Sequence, residues 1–356
     1  MQINIKIEKF QSEILNNLNL KKEYRQLYCE PTFHNFLSKF LHDSKLIYIT
    51  IYNKFELIGF IPIIYKETNF GKLANSLPFF GSHGSLISNF DFDHHVNEQI
   101  IIFLQNWMLD FDVKILTIIE NPFLNNSKFW NNLSFNKRLF VIEIDSRISQ
   151  VTHLPQNYNL KELENELMNS FHSKTRNMIR KSELQNFKIT NNISNHDIEN
   201  LHKIHFENMK KLNGNIKPLK LFKQIEVFFK SNREFSIYKS VAQNGEIAAM
   251  LLLIYSSSYV EYFTPVIAEK YRSLQPLSGL IFKAMIDSVI NHKSKFWNWG
   301  GTWLNQEGVY RFKKRWGSQE KKYEYISIIQ KNIHFKIKKN LSEWINENEY
   351  YFIMPK

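Results

Sequence analysis

The chain holds a single cysteine, Cys29, in 356 residues. An intramolecular disulfide and a cysteine-based zinc site are therefore both excluded. No run of about 18 consecutive apolar residues is present, which argues against a spanning helix. The first ten residues alternate charged and apolar types and lack the apolar core of a signal peptide. These absences predict a soluble protein of a reducing compartment, and we expect it in the cytoplasm.

Several catalytic patterns are missing as well. The sequence has no P-loop, no Gly-x-Gly-x-x-Gly and no Gly-x-Ser-x-Gly. His94 and His95, like His202 and His205, lack carboxylates at metal-ligand spacing, so no metal site is predicted. These gaps count against nucleotide hydrolysis, dinucleotide redox chemistry and the serine hydrolase mechanism.

What the chain does have is length, apolar content and positive charge. Its 356 residues favour two domains, and 43% hydrophobic residues can build a sizeable core. A net charge of +12 suggests an anionic partner, such as a nucleotide, a phosphorylated lipid or sugar, or RNA. The alternative is that the Lys-, Asn- and Ile-rich composition only reflects an AT-rich genome.

An internal repeat is the most informative pattern. Leu46–Tyr52 and Glu56–Tyr65 predict one β-hairpin. Ser236–Gln243 and Glu246–Tyr255 predict another, joined by Asn244-Gly245, which favours a tight turn. In each half a helix precedes the hairpin, and an extended stretch, a helix and a strand follow it. In the first half the preceding helix is predicted at 32–41, the extended stretch at 77–88, the following helix at 95–110 and the strand at 114–119. In the second half the same four elements are predicted at 196–212, 259–266, 276–291 and 296–299.

This order predicts an α/β (α+β) fold with mixed sheets, because the last strand must return by a helical crossover. We expect two tandem domains, 1–150 and 151–330, and a helical tail, 331–356, that packs on the body. Polar residues and Pro155 place the linker near 146–158. A basic helix is predicted to run from Leu160 to about Asn186.

The first stretch with candidate chemistry is Ser170–Lys181, which contains Lys174, Arg176 and Arg180. On a helix the two arginines share one face and could bind phosphate or carboxylate. The alternative is a solvated basic face.

The second stretch is Trp299–Gly317. Gly300 and Gly301 follow a predicted strand and permit close backbone approach. Three aromatic residues alternate with a cationic group that contains Arg311, Lys313 and Arg315. This pattern can bind nucleic acid by charge and stacking, or place one lysine beside a reacting carbonyl. Alternatively, the aromatic residues are core and the charges are solvated.

The third stretch joins a strand to a helix. Strand alternation puts Glu261 and Phe263 on one face and Tyr262 on the other. Arg272 and Gln275 then precede a helix whose N-terminus could bind a pyrophosphate or an oxyanion.

Together these stretches resemble the Fem family of acyl and aminoacyl transferases, which are built from two GNAT-like (GCN5-related N-acetyltransferase) halves. Lys174–Lys181 resembles their Lys-x-Arg-x-x-Ile-Arg-Lys helix, and Tyr310–Gly317 resembles their Phe-Lys-x-x-(Phe/Trp)-Gly signature. Leu77–Gly84 resembles a Leu-Pro-x-x-x-Gly-Gly segment, with Ser82 and His83 departing from it. The resemblance covers about residues 20–330.

The resemblance implies that an acceptor amine attacks an activated acyl carbonyl, either an ester on tRNA or a thioester on coenzyme A. It implies no permanently bound cofactor. The acceptor would be an anionic or lipid-linked cell-envelope precursor, met at the inner membrane surface by a peripheral enzyme. Lys313 would supply positive charge near the oxyanion, and Glu261 or Tyr262 would receive the amine proton. The implied substrate-binding residues are Lys174, Arg176, Arg180, His83, Arg272, Gln275, Gly300, Gly301, Arg311 and Arg315.

Two other functions stay open from the sequence. One is acyl-CoA-dependent N-acetylation of an amino sugar on a nucleotide or lipid carrier. The other is a non-catalytic RNA-binding module, which would show strongly salt-dependent binding.

Overall fold

The computed structural model describes residues 2–9, 18, 20–78, 83–124, 130, 135–194 and 196–351. It divides into two compact units. The first consists of Met1–Ile148 and Lys321–Lys356, and the second of Ser149–Glu320. The chain therefore leaves the first unit, completes the second, and returns. The predicted boundary at 150 lies close to this division, whereas the segment 321–330 groups with the first unit.

The first unit contains one sheet and its covering helices. Its strands run in the order β1-β2-β3-β4-β6-β13, and the short β5 pairs with β3. The strands are β1 (Ile3–Lys9), β2 (Ser44–Asn53), β3 (Glu56–Thr68), β4 (Gly71–Asn75), β5 (Ile87–Ser88), β6 (Val113–Ile119) and β13 (Gln319–Gln330), and the helices are α1 (Pro31–Phe40), α2 (His94–Asp110), α9 (Lys331–Lys339) and α10 (Leu341–Glu347). Short 3-10 helices lie at Lys22–Tyr24 and Leu27–Cys29.

The second unit has strand order β12-β11-β10-β9-β8. Its strands are β8 (Lys188–Thr190), β9 (Phe235–Val241), β10 (Ile247–Ser256), β11 (Tyr259–Ile267) and β12 (Phe296–Trp303). Its helices are α3 (Leu160–Ser170), α4 (Ser173–Glu183), α5 (Asp197–Leu212), α6 (Leu219–Phe228), α7 (Pro276–His292) and α8 (Glu307–Lys314), with a 3-10 helix at Glu269–Leu274. Strand β7 (Phe140–His153) carries the chain across the boundary between the units.

The predicted repeat is confirmed. Each unit contains a helix, an antiparallel hairpin, a third strand, a crossover helix and a final strand parallel to the third. The parallel pairs are β4 with β6 and β11 with β12. Because each crossover helix covers its own sheet, each unit also has its own apolar core, with Ile49, Ile100 and Leu116 in the first and Leu251, Ile281 and Trp297 in the second. The fold class expected from the sequence is thus observed.

Three local predictions are wrong. The basic helix predicted over 160–186 is two helices, because Phe171 turns into the core and His172 caps α4 by accepting the N–H of Lys174. The predicted linker at 146–158 does contain the division between the units, but up to His153 it is strand β7 and not an irregular segment; there Arg147 pairs with Asp145 and lies 4.7 Å from the ring centroid of Tyr325. A polar strand of this kind lacks the apolar alternation that identifies strands.

The stretch predicted as extended over 77–88 is the third error. The third strand of the first half comes earlier, at β4, and only Ile87–Ser88 of the predicted range forms a strand. Leu77 has a φ of 58°, in the left-handed region, which ends the extended conformation. Residues 79–82 of the Leu77–Gly84 segment lie outside the described residues.

The C-terminal tail forms two helices, as an apolar face with helical spacing predicts. Ile333 and Trp344 are buried, and the ring of Trp344 packs against Phe70 of the first unit. His334 and Lys338 both contact the carboxylate of Glu143 at 2.9 Å. Within the described residues, no helix is long and apolar enough to cross a membrane.

Gly84 supplies a test of packing in the first unit. A Cβ at this position would lie 2.4 Å from the carbonyl oxygen of Ser76, and backbone cannot move aside as a side chain can. We expect Gly84→Ala to lower the free energy of unfolding by about 1–3 kcal/mol. Gly308→Ala is the matched control, because a Cβ there meets nothing within 4 Å. Urea denaturation would measure both, and equal stabilities would contradict the packing.

Candidate functional site

The two parallel strands of the second unit separate at one end. β11 pairs with β12 through Tyr259, Val260 and Glu261, which lie opposite Phe296, Trp297 and Asn298. Beyond this point β11 continues to Ile267 and β12 to Trp303 without pairing to each other. Ligands of α/β folds commonly bind where the carboxyl ends of parallel strands leave such an opening.

A buried polar pair lies on the last paired level. The side-chain amide of Asn298 donates to both carboxylate oxygens of Glu261, at 3.1 and 2.8 Å. The amide oxygen of Asn298 accepts the backbone N–H of Gly300 at 3.0 Å. Glu261 thus fixes the orientation of Asn298, which in turn fixes the start of the open stretch of β12.

Gly300 gives this stretch an unusual backbone. Its φ of +71° lies in the left-handed region, which favours glycine. A Cβ built on Gly300 would meet nothing within 4 Å, so the backbone here faces open space. A ligand could therefore approach the main chain of β12 closely at this point.

Lys313 reaches the same stretch from helix α8. Its Nζ donates to the carbonyl oxygens of Gly300 at 3.1 Å and Gly301 at 3.0 Å, and to the hydroxyl of Thr302 at 2.7 Å. These three acceptors match the three N–H groups of a protonated lysine. The side chain is only 6% exposed. Lys313 therefore holds the backbone of β12 through two of its carbonyl groups, just beyond the last pair with β11.

Burial and hydrogen bonding act in opposite directions on this amine. Burial lowers the pKa of Lys313 from 10.5 to about 7. The three acceptors favour the ammonium, because a neutral amine has only two N–H groups to donate. The geometry thus describes a positive charge held in a poorly solvated place, where its electrostatic effect is larger than in water.

Aromatic packing fixes α8 relative to β12. Trp316 is fully buried and its ring lies 5.8 Å from Trp299 and 5.1 Å from Phe171, between centroids. The hydroxyl of Thr152 on β7 accepts the indole N–H of Trp299 and donates to the carbonyl of Trp316. Trp316 is part of the core and Phe312 packs against it, so both side chains contribute to packing.

The two residues predicted to receive the amine proton lie in different surroundings. Glu261 is 2% exposed and its oxygens are bound by Asn298. Tyr262 packs against Trp297 and Trp299, and burial raises the pKa of its phenol well above the usual range. The register between β10 and β11 shifts between Leu252 and Leu253, which lie opposite Thr264 and Tyr262, so the predicted alternation ends at Phe263.

The basic helix α4 begins beside the end of α8. The backbone N–H of His172 donates to the carbonyl of Arg315 at 2.9 Å, and the Thr175 hydroxyl does so at 3.1 Å. Arg176 donates to the carbonyl of Phe171, within its own segment. Lys174 and Arg180 are exposed. These contacts hold α4 against α8. Among the described residues, no hydrogen bond joins Arg176 or Arg180 to β12.

Further predicted residues are engaged elsewhere. Arg272 donates to Glu269 at 2.9 Å and Arg311 to Glu307 at 2.6 Å, both on the surface. Gln275 has a φ of 62° and its side-chain amide donates to the carbonyl of Arg272, at the start of α7. To contact a ligand, each of these three side chains would have to break its present hydrogen bond or make an additional one.

His83 belongs to the first unit and is fully buried. Its ring meets the edges of Tyr28, Tyr323 and Phe123, at centroid distances of 5.0 to 6.0 Å. Burial lowers the pKa of His83 to about 3, so the ring is neutral at pH 7. A side chain enclosed in this way does not contact a ligand in this conformation.

Sequence reasoning missed Asn298 and Thr302, which organise the site. Asn298 stands between Trp297 and Trp299 in a buried strand, and a polar residue between two large aromatic ones in such a strand is the pattern that could have identified it. In the part of the chain that is described, no group of three or more His, Cys, Asp or Glu residues could hold a metal ion.

The Glu261–Asn298 pair generates a prediction about charge. Asn298→Asp would place a second carboxylate against the buried Glu261, so one of the two must stay protonated. The folded-state pKa of that group then exceeds its unfolded value, and stability is lost as pH rises. We expect a loss on the order of 3 kcal/mol at pH 8 and a smaller loss at pH 5.

Urea denaturation at the two pH values measures this difference. Asn177→Asp is the control, because Asn177 is exposed on α4. A pH-independent loss for Asn298→Asp would contradict the assignment of Glu261 as the partner carboxylate.

Comparisons with known proteins support the fold. No family model and no curated protein matches the sequence. Among solved structures, FemX aligns with a TM-score of 0.63 at 12% identity over 90% of this chain and 97% of its own. A tandem GNAT protein from the clavulanic acid biosynthesis pathway gives 0.54 at 8%, over 92% and 98%.

The C-terminal domain of a putative lysylphosphatidylglycerol synthetase from Agrobacterium fabrum gives 0.52 at 10%, over 89% and 91%. Identities of this size show shared architecture and not shared chemistry. The chain has the tandem GNAT fold that is also found in FemX.

Proposed function

We propose that this chain is an acyltransferase that forms an amide bond at the opening between β11 and β12. The observation that carries the proposal is Lys313, a buried lysine whose amine holds the carbonyl groups of Gly300 and Gly301 beside open space. A strongly desolvated charge next to accessible backbone can act on a ligand held there, and such groups are frequent at functional sites.

In the proposed reaction an acceptor amine attacks the carbonyl carbon of an activated acyl donor. The new C–N bond forms, the bond from carbon to the donor's sulfur or oxygen breaks, and the amine loses one proton. Negative charge develops on the carbonyl oxygen before the leaving group departs. Stabilising that charge with a preorganised positive group is often the largest single contribution to such catalysis.

Lys313 is suited to that contribution through its charge. Its N–H groups already have acceptors, so a direct hydrogen bond to the oxyanion would require one of them to be released. The open main chain at Gly300 would border the acyl group. Asn298 and Glu261 would then position this backbone and would not themselves react.

The cationic side chains around α4 and α8 support an anionic substrate. Arg180 and Lys174 are exposed, Arg315 is half-buried, and the carbonyl of Arg315 joins the two helices. Arginine binds phosphate and carboxylate with matched geometry. We propose Arg176, Arg180, Arg272, Arg311 and Arg315 as contacts for a phosphorylated donor or acceptor, with Gln275 and Lys174 beside them.

The proposed acceptor is an amine on a cell-envelope precursor, either a peptidoglycan precursor or an amino sugar of a polysaccharide. The donor is an aminoacyl ester on tRNA or an acyl thioester of coenzyme A. The fold similarity to FemX supports a Fem-type acceptor, and the net charge of +12 supports an anionic carrier at an inner membrane surface.

The second candidate is acyl-CoA-dependent N-acetylation of an amino sugar on a nucleotide or lipid carrier. It is favoured by the similarity to a tandem GNAT protein whose published description refers to acetyl-CoA. The two candidates share the opening between β11 and β12 and differ in donor and acceptor only.

Isothermal titration with acetyl-CoA at moderate salt separates the donors. Saturable micromolar binding of acetyl-CoA supports the thioester, and binding of a mixture of aminoacyl-tRNAs alone supports the ester. The purified protein would then be assayed for transfer from the bound donor to nucleotide-linked amino sugars and muropeptides. A protein that binds neither donor and transfers from neither would refute the proposed function.

Lys313→Met tests the role of the buried charge. We expect it to lower kcat/KM by about 10²–10³-fold, as loss of an oxyanion-stabilising group does. Lys314→Met is the matched control, since Lys314 is exposed on the same helix. Circular dichroism would establish that both variants are folded. Full turnover by Lys313→Met would remove Lys313 from the mechanism.

A further inference from the structure

Helix α9, the first helix of the C-terminal tail, has two opposite faces. It packs on the first unit through Ile333 and Ile337, which are buried. Phe335 lies between them in the sequence, and two residues of an α-helix turn the side-chain direction by about 200°. The ring of Phe335 therefore points away from the unit, and 76% of this residue is exposed.

Three lysines surround Phe335 on the outer face. Residues three or four positions apart on a helix lie side by side. Lys331 precedes Phe335 by four positions. Lys338 and Lys339 follow it by three and four positions, and all three lysines are exposed. Phe335 is thus the apolar centre of a ring of positive charge.

The positive charge continues beyond the helix. The nine residues of α9 include four lysines and no acidic residue. The backbone N–H of Lys331 donates to the carbonyl of Leu139 at 2.8 Å. Lys137 and Arg138, directly before Leu139 in the chain, are exposed. Two segments of the first unit therefore add cations to the same end of α9, and Leu139 adds a half-exposed apolar side chain.

One carboxylate offsets part of this charge. Glu143 of β7 lies 2.9 Å from both His334 and Lys338, which are one turn apart on one flank of α9. Among the described residues, no ion pair involves Lys331 or Lys339. These two lysines are free to bind an external anion.

The surroundings of Phe335 distinguish it from other exposed apolar residues. A single exposed apolar side chain needs no explanation on a folded protein. Phe55, for example, is 98% exposed in the turn between β2 and β3, where it stands between Lys54 and Glu56. Phe335 instead has lysines on both sides along its helix. An apolar residue framed by lysines is what interfacial helices present to a membrane.

We propose that the outer face of α9 binds the surface of a membrane that contains anionic phospholipid. The ammonium groups would lie at the lipid phosphates, and the alkyl stems of the lysines would run along the ring. The ring of Phe335 would enter the boundary between headgroups and acyl chains. The charge and the apolar side chain act together, since neither alone gives stable binding. This inference goes beyond the transfer reaction and does not depend on it.

RNA is the other polyanion that these lysines could attract. Proteins that stack bases on aromatic rings do so within a positively charged groove that follows the nucleic-acid backbone. Phe335 stands at the crest of a convex helix, with its buried neighbours directly behind it. A planar surface can contact such a ring and the lysines on both sides of it at once. The shape therefore favours a membrane over RNA.

Vesicle sedimentation tests the outer face with the intact protein and without any acyl donor. We expect binding to vesicles of phosphatidylcholine and phosphatidylglycerol mixed at about 2:1, and none to phosphatidylcholine alone. Phe335→Ser should weaken the partition by about tenfold, because it removes the apolar contact. Lys331→Gln combined with Lys339→Gln should weaken it by about 30-fold, because each lysine contributes about fivefold near an anionic surface.

Matched controls remove the same groups from elsewhere in the first unit. Phe55→Ser removes an exposed ring, and Lys45→Gln combined with Lys54→Gln removes two exposed lysines. Both controls should bind vesicles as the wild-type protein does. Equal losses in variants and controls, or no vesicle binding by the wild-type protein, would overturn the proposal. Binding of mixed tRNA without any binding of vesicles would assign the face to RNA and would also reject it.

A fluorescent probe on the face itself gives a second measurement. Cys29 is buried and burial raises the pKa of its thiol to about 12, so a cysteine introduced at the surface can be labelled selectively. Phe335→Cys that carries an environment-sensitive fluorophore should show a blue shift on the mixed vesicles, and Phe55→Cys should not. An unchanged spectrum at position 335, in protein that sediments with vesicles, would place the contact elsewhere and refute the proposal.

The outcome is separate from that of the proposed function. Lys313→Met should bind vesicles as the wild-type protein does, because Lys313 belongs to the second unit. Vesicle binding without transfer from any donor would reject the proposed function alone. Transfer by protein that binds no vesicle would reject the membrane surface alone.

Discussion

The site depends on the hydrogen bonds that hold the backbone carbonyl groups of β12 after its pairing with β11 ends. Buried carbonyl groups need donors, and a strand that leaves its neighbour loses them. Lys313 supplies those donors for Gly300 and Gly301. This set of hydrogen bonds places a positive charge beside the opening and holds the shape of β12 there.

The surrounding sequence serves this arrangement. Trp316 and Phe312 anchor α8 in the core so that Lys313, between them in sequence, points at β12. Gly317 follows with a φ of +72°, and a Cβ there would lie 3.0 Å from the carbonyl of Ser170. Packing thus accounts for Phe312, Trp316 and Gly317 of the Tyr310–Gly317 motif. Lys313 is accounted for by its contacts with β12 beside the opening.

The sequence predicted the order of elements well because hairpins and amphipathic helices leave local patterns. Glu56–Tyr65, Pro276–Asn291 and the Asn-Gly turn were readable for that reason. It failed where tertiary contacts decide. Arg147 makes a polar strand possible through Asp145 and Tyr325, and Phe171 ends a helix by entering the core. Lys313 was singled out by its motif, whereas the pairing of Asn298 with Glu261 depends on strand register, which no local pattern encodes.

The chain path of the first unit has a consequence during synthesis. Its strand β13 lies beside β6, yet Ser149–Glu320 separates the two pieces of this unit in the sequence. A ribosome working at bacterial or eukaryotic speed needs about ten to thirty seconds for that stretch. During this interval β6 has no β13 beside it. By the end of the interval, the whole sequence of the second unit has been made. The part of the protein that begins first must therefore finish last.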